Sequence, residues 1–116
     1  DAQFPSVHYD FIVSTSLLHH LHEPQALWRT IIDRASSGTR VFVVDLVRPE
    51  SLDEVIRLVD VHASGAPEVL REDFRASMCA AFRLPEVSEQ LEEAGLAGCL
   101  RISMLGERHF VVSGRL

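Results

Sequence analysis

Tyr9-Asp10-Phe11-Ile12-Val13-Ser14-Thr15-Ser16-Leu17-Leu18-His19-His20-Leu21 is the stretch on which the fold turns. Phe11-Ile12-Val13 is a continuous apolar run rich in β-branched side chains, the pattern of a strand buried on both faces. Ser14-Thr15-Ser16 ends it. Further on, Leu27, Trp28, Ile31, Ile32 and Ala35 recur at helical spacing and predict one apolar stripe on a helix opening at Pro24. Gly38 is a natural stop for that helix. Val41-Phe42-Val43-Val44, closing at Asp45, reads as a second buried strand. Strand, helix and strand in that order predict two parallel strands joined by a right-handed crossover.

Upstream, residues 1–9 read as a loop broken by Pro5. Downstream, Leu52, Val55, Ile56 and Val59 predict a helix over 52–63, which Gly65-Ala66-Pro67 interrupts. A second helix is expected over 67–82, with Leu70, Phe74, Met78 and Ala81/Phe82 on its inner face. A shorter one follows over 85–94, with Val87, Leu91 and Ala94 inward and Gly95 as its stop. Cys99 to Leu105 alternates, with Leu100, Ile102 and Met104 on one face, and His109 to Ser113 returns after a Gly106-Glu107-Arg108 turn, the pattern of a β-hairpin. The expected class is α/β: two parallel strands with a crossover helix, a helical insertion and a C-terminal antiparallel β-hairpin, in one domain over residues 1–116.

The formal net charge of -6 offers no basic footprint for nucleic acid or for an anionic membrane surface. No apolar run approaches the length that spans a bilayer, and no signal-peptide pattern is visible in the first residues of this sequence. Cys79 and Cys99 form no CxxC pair and lie in apolar stretches, so both are expected to be reduced core residues, in keeping with a cytoplasmic protein.

Ligands of open parallel sheets sit beyond the carboxyl ends of the strands, here Ser14-Thr15-Ser16 and Asp45-Leu46. His19, His20 and His22 follow the first of these ends. Their spacing matches neither HExxH nor a zinc finger, so no metal site is expected. One of them either packs or caps the loop, or lines a ligand pocket as a hydrogen-bond partner or base. Asp45 is a candidate for binding or acid/base work, or else a carboxylate that pairs with Arg48 or caps a loop. No GxSxG, no P-loop and no GxGxxG occurs.

The Tyr9–Leu21 run closely resembles the fourth-strand motif of class I, Rossmann-like S-adenosylmethionine-dependent methyltransferases, "(F/Y)D-hydrophobic-V-S-x-S-L-L-H-H-L". Glu23-Pro24 opening a helix, and Gly38-Thr39-Arg40 leading into Val41–Asp45, continue the likeness, although Ser36-Ser37-Gly38-Thr39 stands where the family has K-P-G-G. Arg48-Pro49, Asp73-Phe74-Arg75-Ala76-Ser77 and Arg108–Gly114 are similar to a small-molecule subgroup. The resemblance covers essentially the whole chain and implies the C-terminal half of such a domain. It implies methyl transfer from S-adenosylmethionine to a small-molecule acceptor. By carry-over, Asp1 and Ala2 would lie near adenine. Ser14, Thr15, Ser16 and Leu17 would follow the methionine side of the cofactor. His19 and His20 would stand near the transferred methyl as catalytic residues, with Asp45 and Arg48 toward the substrate.

The glycine-rich turn and the ribose-binding acid of that family have no counterpart in these residues. Binding of S-adenosylmethionine by this chain alone is therefore expected to be weak or absent, and the isolated chain inactive. A half domain would also leave strand 11–13 as a bare apolar edge, which recruits a partner. The expected partner is a second copy or a separate N-terminal half. The alternative function is a non-catalytic, homodimeric interaction domain.

Overall fold

A computed structural model describes residues 9–116. The expected loop over the first residues, and the Asp1 and Ala2 expected near adenine, lie outside the described residues. Strand β1 (Phe11–Thr15) leads through a single 3-10 turn (Leu18–His20) to helix α1 (Gln25–Arg34) and strand β2 (Arg40–Leu46). Helices α2 (Leu52–Ala63), α3 (Glu68–Ala80) and α4 (Leu84–Glu93) follow, and strands β3 (Leu100–Leu105) and β4 (His109–Arg115) close the order. The four strands form one sheet in the order β1-β2-β4-β3. β1 and β2 are parallel, with Ile12 beside Val41 and Val13 beside Phe42. β4 lies antiparallel to both β2 and β3, so the hairpin is inserted with its second strand innermost.

Local chemistry explains where the helices begin and end. Pro24 has no N–H to satisfy at the start of α1, and the Glu23 side chain accepts from Gln25 N at 3.1 Å. Ser51 caps α2, its Oγ accepting from Glu54 N at 3.1 Å. α4 stops at Gly95, which takes a φ of +76° as a left-handed terminal residue does.

One face of the sheet is covered. Leu27, Trp28 and Ile31 of α1 and Val87 and Leu91 of α4 pack with Leu18 against Val41, Val43, Phe110 and Val112. Trp28 is fully buried, and its indole N–H donates to Gln90 Oε1 at 3.0 Å, so its polar edge is satisfied inside the core. A smaller cluster sits at the carboxyl end of β2, where Val55, Leu58 and Val59 of α2 and Met78 of α3 close over Leu46.

The other face is bare. Phe11 and Val13, expected to be buried on both sides of a central strand, are 58% and 64% exposed, and neighbouring Phe42 is 39% exposed. β1 is an edge strand, and among the described residues no helix covers this side. Three further expectations are corrected by the same one-sided layering. Leu70 and Ile56 face solvent because α2 and α3 contact each other and the sheet end, and among the described residues no third layer meets their outer sides. Met104 is exposed because β3 is the opposite edge strand and runs out toward the turn. Cys79 and Cys99, expected in the core, are both free and exposed.

Gly114 marks the tightest packing of the hairpin. A side chain there would run into the carbonyl oxygen of Cys99 and stand 3.0 Å from Leu100 Cδ2. Backbone cannot yield as a flexible side chain does. Gly114→Ala is therefore expected to lower the unfolding free energy by about 1–3 kcal/mol, the usual range for overpacking, measured by urea titration of circular dichroism.

Candidate functional site at the carboxyl ends of the parallel strands

β1 and β2 end side by side, with Thr15 beside Val44. Ser16 extends the ladder by one bond, its N–H donating to Val44 O at 2.9 Å. Its φ is then +58°, a left-handed conformation that costs a non-glycine residue about 1 kcal/mol. Among the described residues it is the only non-glycine residue with positive φ. Such outliers persist where the surroundings impose them. Sequence reasoning missed this feature, because neither glycine nor asparagine marks the position. Thr15, Ser16 and Leu17 are exposed along the resulting rim, and Ser14 is half-buried beneath them. Ser14 Oγ is buried and has no hydrogen-bond partner among the described residues.

The single turn after the rim is fixed from two sides. Leu18 is fully buried in the core, and His19 is tied to the end of β2. Its backbone N–H donates to Asp45 Oδ2 at 3.1 Å, and its Nδ1 lies 2.5 Å from Asp45 Oδ1. Asp45 Oδ1 also accepts from Leu46 N at 2.7 Å. The side chains of His19 and Asp45 are only 4% and 1% exposed. A carboxylate oxygen opposite Nδ1 places the ring hydrogen there and leaves Nε2 as the acceptor nitrogen. Nε2 is buried, with no partner among the described residues. The His20 ring is exposed and lies 4.0 Å from that of His19, tilted by 40°.

The structure thus joins His19, His20 and Asp45 and sets Arg48 apart. Asp45 caps the loop, one of its expected alternatives, rather than pairing with Arg48, and is spent inside the protein. Both its oxygens accept from the His19 segment or its own neighbour. Arg48 turns to Glu86, with Nη2 to Oε1 at 3.1 Å, and its N–H donates to Phe82 O at 3.0 Å. No signal within the motif pairs His19 with Asp45. They are 26 residues apart and meet only because the parallel register brings both strand ends together.

Arg48 lines an open cleft of about 880 Å³ between α2, the start of α4 and the end of β3, and none of Ser14–His20 or Asp45 contributes to it. On its far wall, exposed Glu107 holds its proton less readily than an ordinary carboxyl, because His62 and then Arg57 hydrogen-bond to it. Glu54 is shifted the same way by Arg57. On the other side of the sheet end, burial is the main cause that keeps His109 neutral to lower pH than a free histidine. Among the described residues, no three His, Cys, Asp or Glu side chains stand together as a metal site. No helix among them is long and apolar enough to cross a membrane.

No protein-family model matches the chain. No curated protein matches it either. Solved structures do. A SAM-dependent methyltransferase from Aquifex aeolicus superposes with a TM-score of 0.54 at 20% identity, over 91% of this chain and 45% of that one. The plantazolicin methyltransferase BpumL, in complex with SAH and a monoazolic desmethyl-plantazolicin analogue, gives 0.61 at 10% identity, over 91% of this chain and 51% of that one. LepI in complex with SAM gives 0.51 at 16% identity, over 92% and 26%. The chain spans about half or less of the length of each of these proteins. Parallel β1–β2, the crossover helix and the inserted antiparallel hairpin therefore form part of the α/β fold that SAM-dependent methyltransferases use.

Proposed function

We propose that the chain is the C-terminal half of an S-adenosylmethionine-dependent methyltransferase acting on a small-molecule acceptor in the cytoplasm, where its two free cysteines stay reduced. The observation that carries this reading is the rim at the carboxyl end of β1, where strained Ser16 and the unpartnered Ser14 hydroxyl adjoin the anchored His19-His20 pair. The bound cofactor supplies a methyl group on a sulfonium, already activated for transfer. Ser14, Thr15, Ser16 and Leu17 offer one wall to its methionine side, and Asp1 and Ala2 take the adenine. His20, exposed on the rim, accepts a proton from the acceptor. His19 stands beside it, held by Asp45. Arg48 serves the substrate from the neighbouring cleft.

One wall is a partial fit. The glycine-rich turn and ribose-binding acid of the family have no counterpart in this sequence, so the chain by itself is expected to bind S-adenosylmethionine weakly or not at all in a calorimetric titration. Micromolar affinity would overturn the half-domain reading. Mass spectrometry of the natural chain decides what precedes residue 1. If an upstream segment with a glycine-rich turn is present, that longer protein should release S-adenosylhomocysteine on turnover, and His20→Ala should slow turnover by about 10²-fold, the lower range for a lost general base. Failure to bind cofactor even with such a segment would sink the methyltransferase reading.

A second reading rests on the bare apolar edge: a non-catalytic homodimeric interaction domain that pairs through Phe11–Val13. A natural chain with no upstream segment would favour it.

A further inference from the structure

Two arginines, Arg48 and Arg83, line the cleft side by side. Val47 and Phe82 form an isolated parallel bridge. Arg48 N–H donates to Phe82 O at 3.0 Å. The next residue on each segment, Arg48 and Arg83, therefore stands side by side with its counterpart, and both line the same two adjoining clefts. Two cations at neighbouring bridge positions repel. A single carboxylate group serves both: Glu86 Oε1 takes Arg48 Nη2 at 3.1 Å and the Arg83 backbone N–H at 2.8 Å. That leaves the Arg83 guanidinium without a partner among the described residues. It also leaves Arg48 Nε buried with none.

The other acids of the cleft do not offset this charge equally. Glu54 and Glu107 are committed to Arg57 and His62. Glu50 is exposed on the cleft wall with no partner among the described residues. Below the arginines the wall is apolar, built from Val47, Leu58, Leu84 and Met104. A volume of about 880 Å³ lies within the ordinary range for small-molecule sites.

We infer that this cleft binds a small organic carboxylate with an apolar body, its head group held by the exposed Arg83 guanidinium beside Arg48 and its body laid on Leu58, Leu84 and Met104. The planar fork of a guanidinium suits a carboxylate. This is the cleft from which Arg48 is proposed to serve the acceptor, but the test reads binding directly on the chain and does not depend on methyl transfer.

The test is a calorimetric titration of the 116-residue chain with octanoate, octylammonium and 1-octanol. Octanoate should bind saturably, 1-octanol at least tenfold more weakly, and octylammonium not at all. Arg83→Gln should weaken octanoate by about tenfold or more, in line with loss of a charge-assisted hydrogen bond. Arg83→Lys should recover part of that loss. Glu50→Gln should tighten octanoate binding. Arg83 and Glu50 are both exposed, so an unchanged circular dichroism spectrum is expected for all three variants. Octylammonium binding as tightly as octanoate, octanoate indifferent to Arg83→Gln, or no octanoate binding in the millimolar range would each overturn the assignment.

Discussion

Asp45→Ala is expected to lower the unfolding free energy by about 3 kcal/mol or more, since each buried donor it leaves without an acceptor costs about 1–3 kcal/mol. The carboxylate is 1% exposed. Its loss strands three donors at once: the His19 N–H, the His19 ring N–H and the Leu46 N–H. Each buried donor left without an acceptor carries a desolvation penalty. Set against a total domain stability on the order of 5–15 kcal/mol, the loss removes a large fraction. Urea unfolding followed by circular dichroism measures it. Asp45→Asn should cost less, because its carbonyl can still face the His19 ring while its amide nitrogen opposes the backbone N–H. His19→Ala combined with Asp45→Ala should cost less than the sum of the two single changes, since each removes the same contact. A loss below about 1 kcal/mol for Asp45→Ala, within the range of an ordinary neutral hydrogen bond, would show that the pair does not anchor the turn. The rim that places His20 hangs from this pair, so the test of stability is also a test of what holds the candidate site.

The elements themselves were legible wherever one period dominated a segment. Val41–Val44 reads as a strand because it is short, β-branched and closed by a polar residue, and the structure extends it by one residue at its start and two at its end. The α1 stripe reads correctly at Leu27, Trp28 and Ile31, which are buried, while Ile32, counted in the same stripe, is 42% exposed. A stripe that wide places its margin on the boundary of the contact, and periodicity does not say where the partner surface stops. The same lack of a partner accounts for Leu70 and Ile56. Apolar periodicity marks a face able to be buried; a neighbouring layer decides whether it is.

The site was legible in part. The rim residues and both histidines follow from the rule that ligands gather at the carboxyl ends of parallel strands. What those residues do to one another was not legible. Asp45 reads in sequence as a ligand or acid/base group, a partner of Arg48 or a loop cap, and the sequence does not choose among them. The outcome depends on the register that sets Thr15 beside Val44. Arg48 and Arg83 carry no shared motif, and their juxtaposition follows from one bridge between two loops. The strain at Ser16 had no residue signal at all. Non-local register fixes each of these, and a single sequence without an alignment holds no record of it.

The uncovered face of β1 gives the other large expected effect. Phe11, Val13 and Phe42 share one side of the sheet, since Val13 stands directly beside Phe42 and Phe11 beside Arg40. They expose 58%, 64% and 39% of their surfaces at a strand whose outer edge pairs with nothing among the described residues. An edge that is both apolar and unpaired is a template for another strand. The chain is therefore expected to self-associate in a concentration-dependent way, seen by light scattering, unless an N-terminal half is supplied to take the same edge. Val13→Lys should weaken that association by tenfold or more. Burying a valine contributes about 1.5–3 kcal/mol, tenfold corresponds to about 1.4 kcal/mol, and the lysine must also be desolvated. Because Val13 faces away from the core cluster, the same change should leave the unfolding free energy of the monomer within about 0.5 kcal/mol, as for surface substitutions generally. Ile12→Lys is the contrasting control. Ile12 packs against the core, so it should lose stability and association together. A unsubstituted chain that stays monomeric at high concentration would remove the case for a partner at this edge. Association indifferent to Val13→Lys would place the contact elsewhere on the molecule.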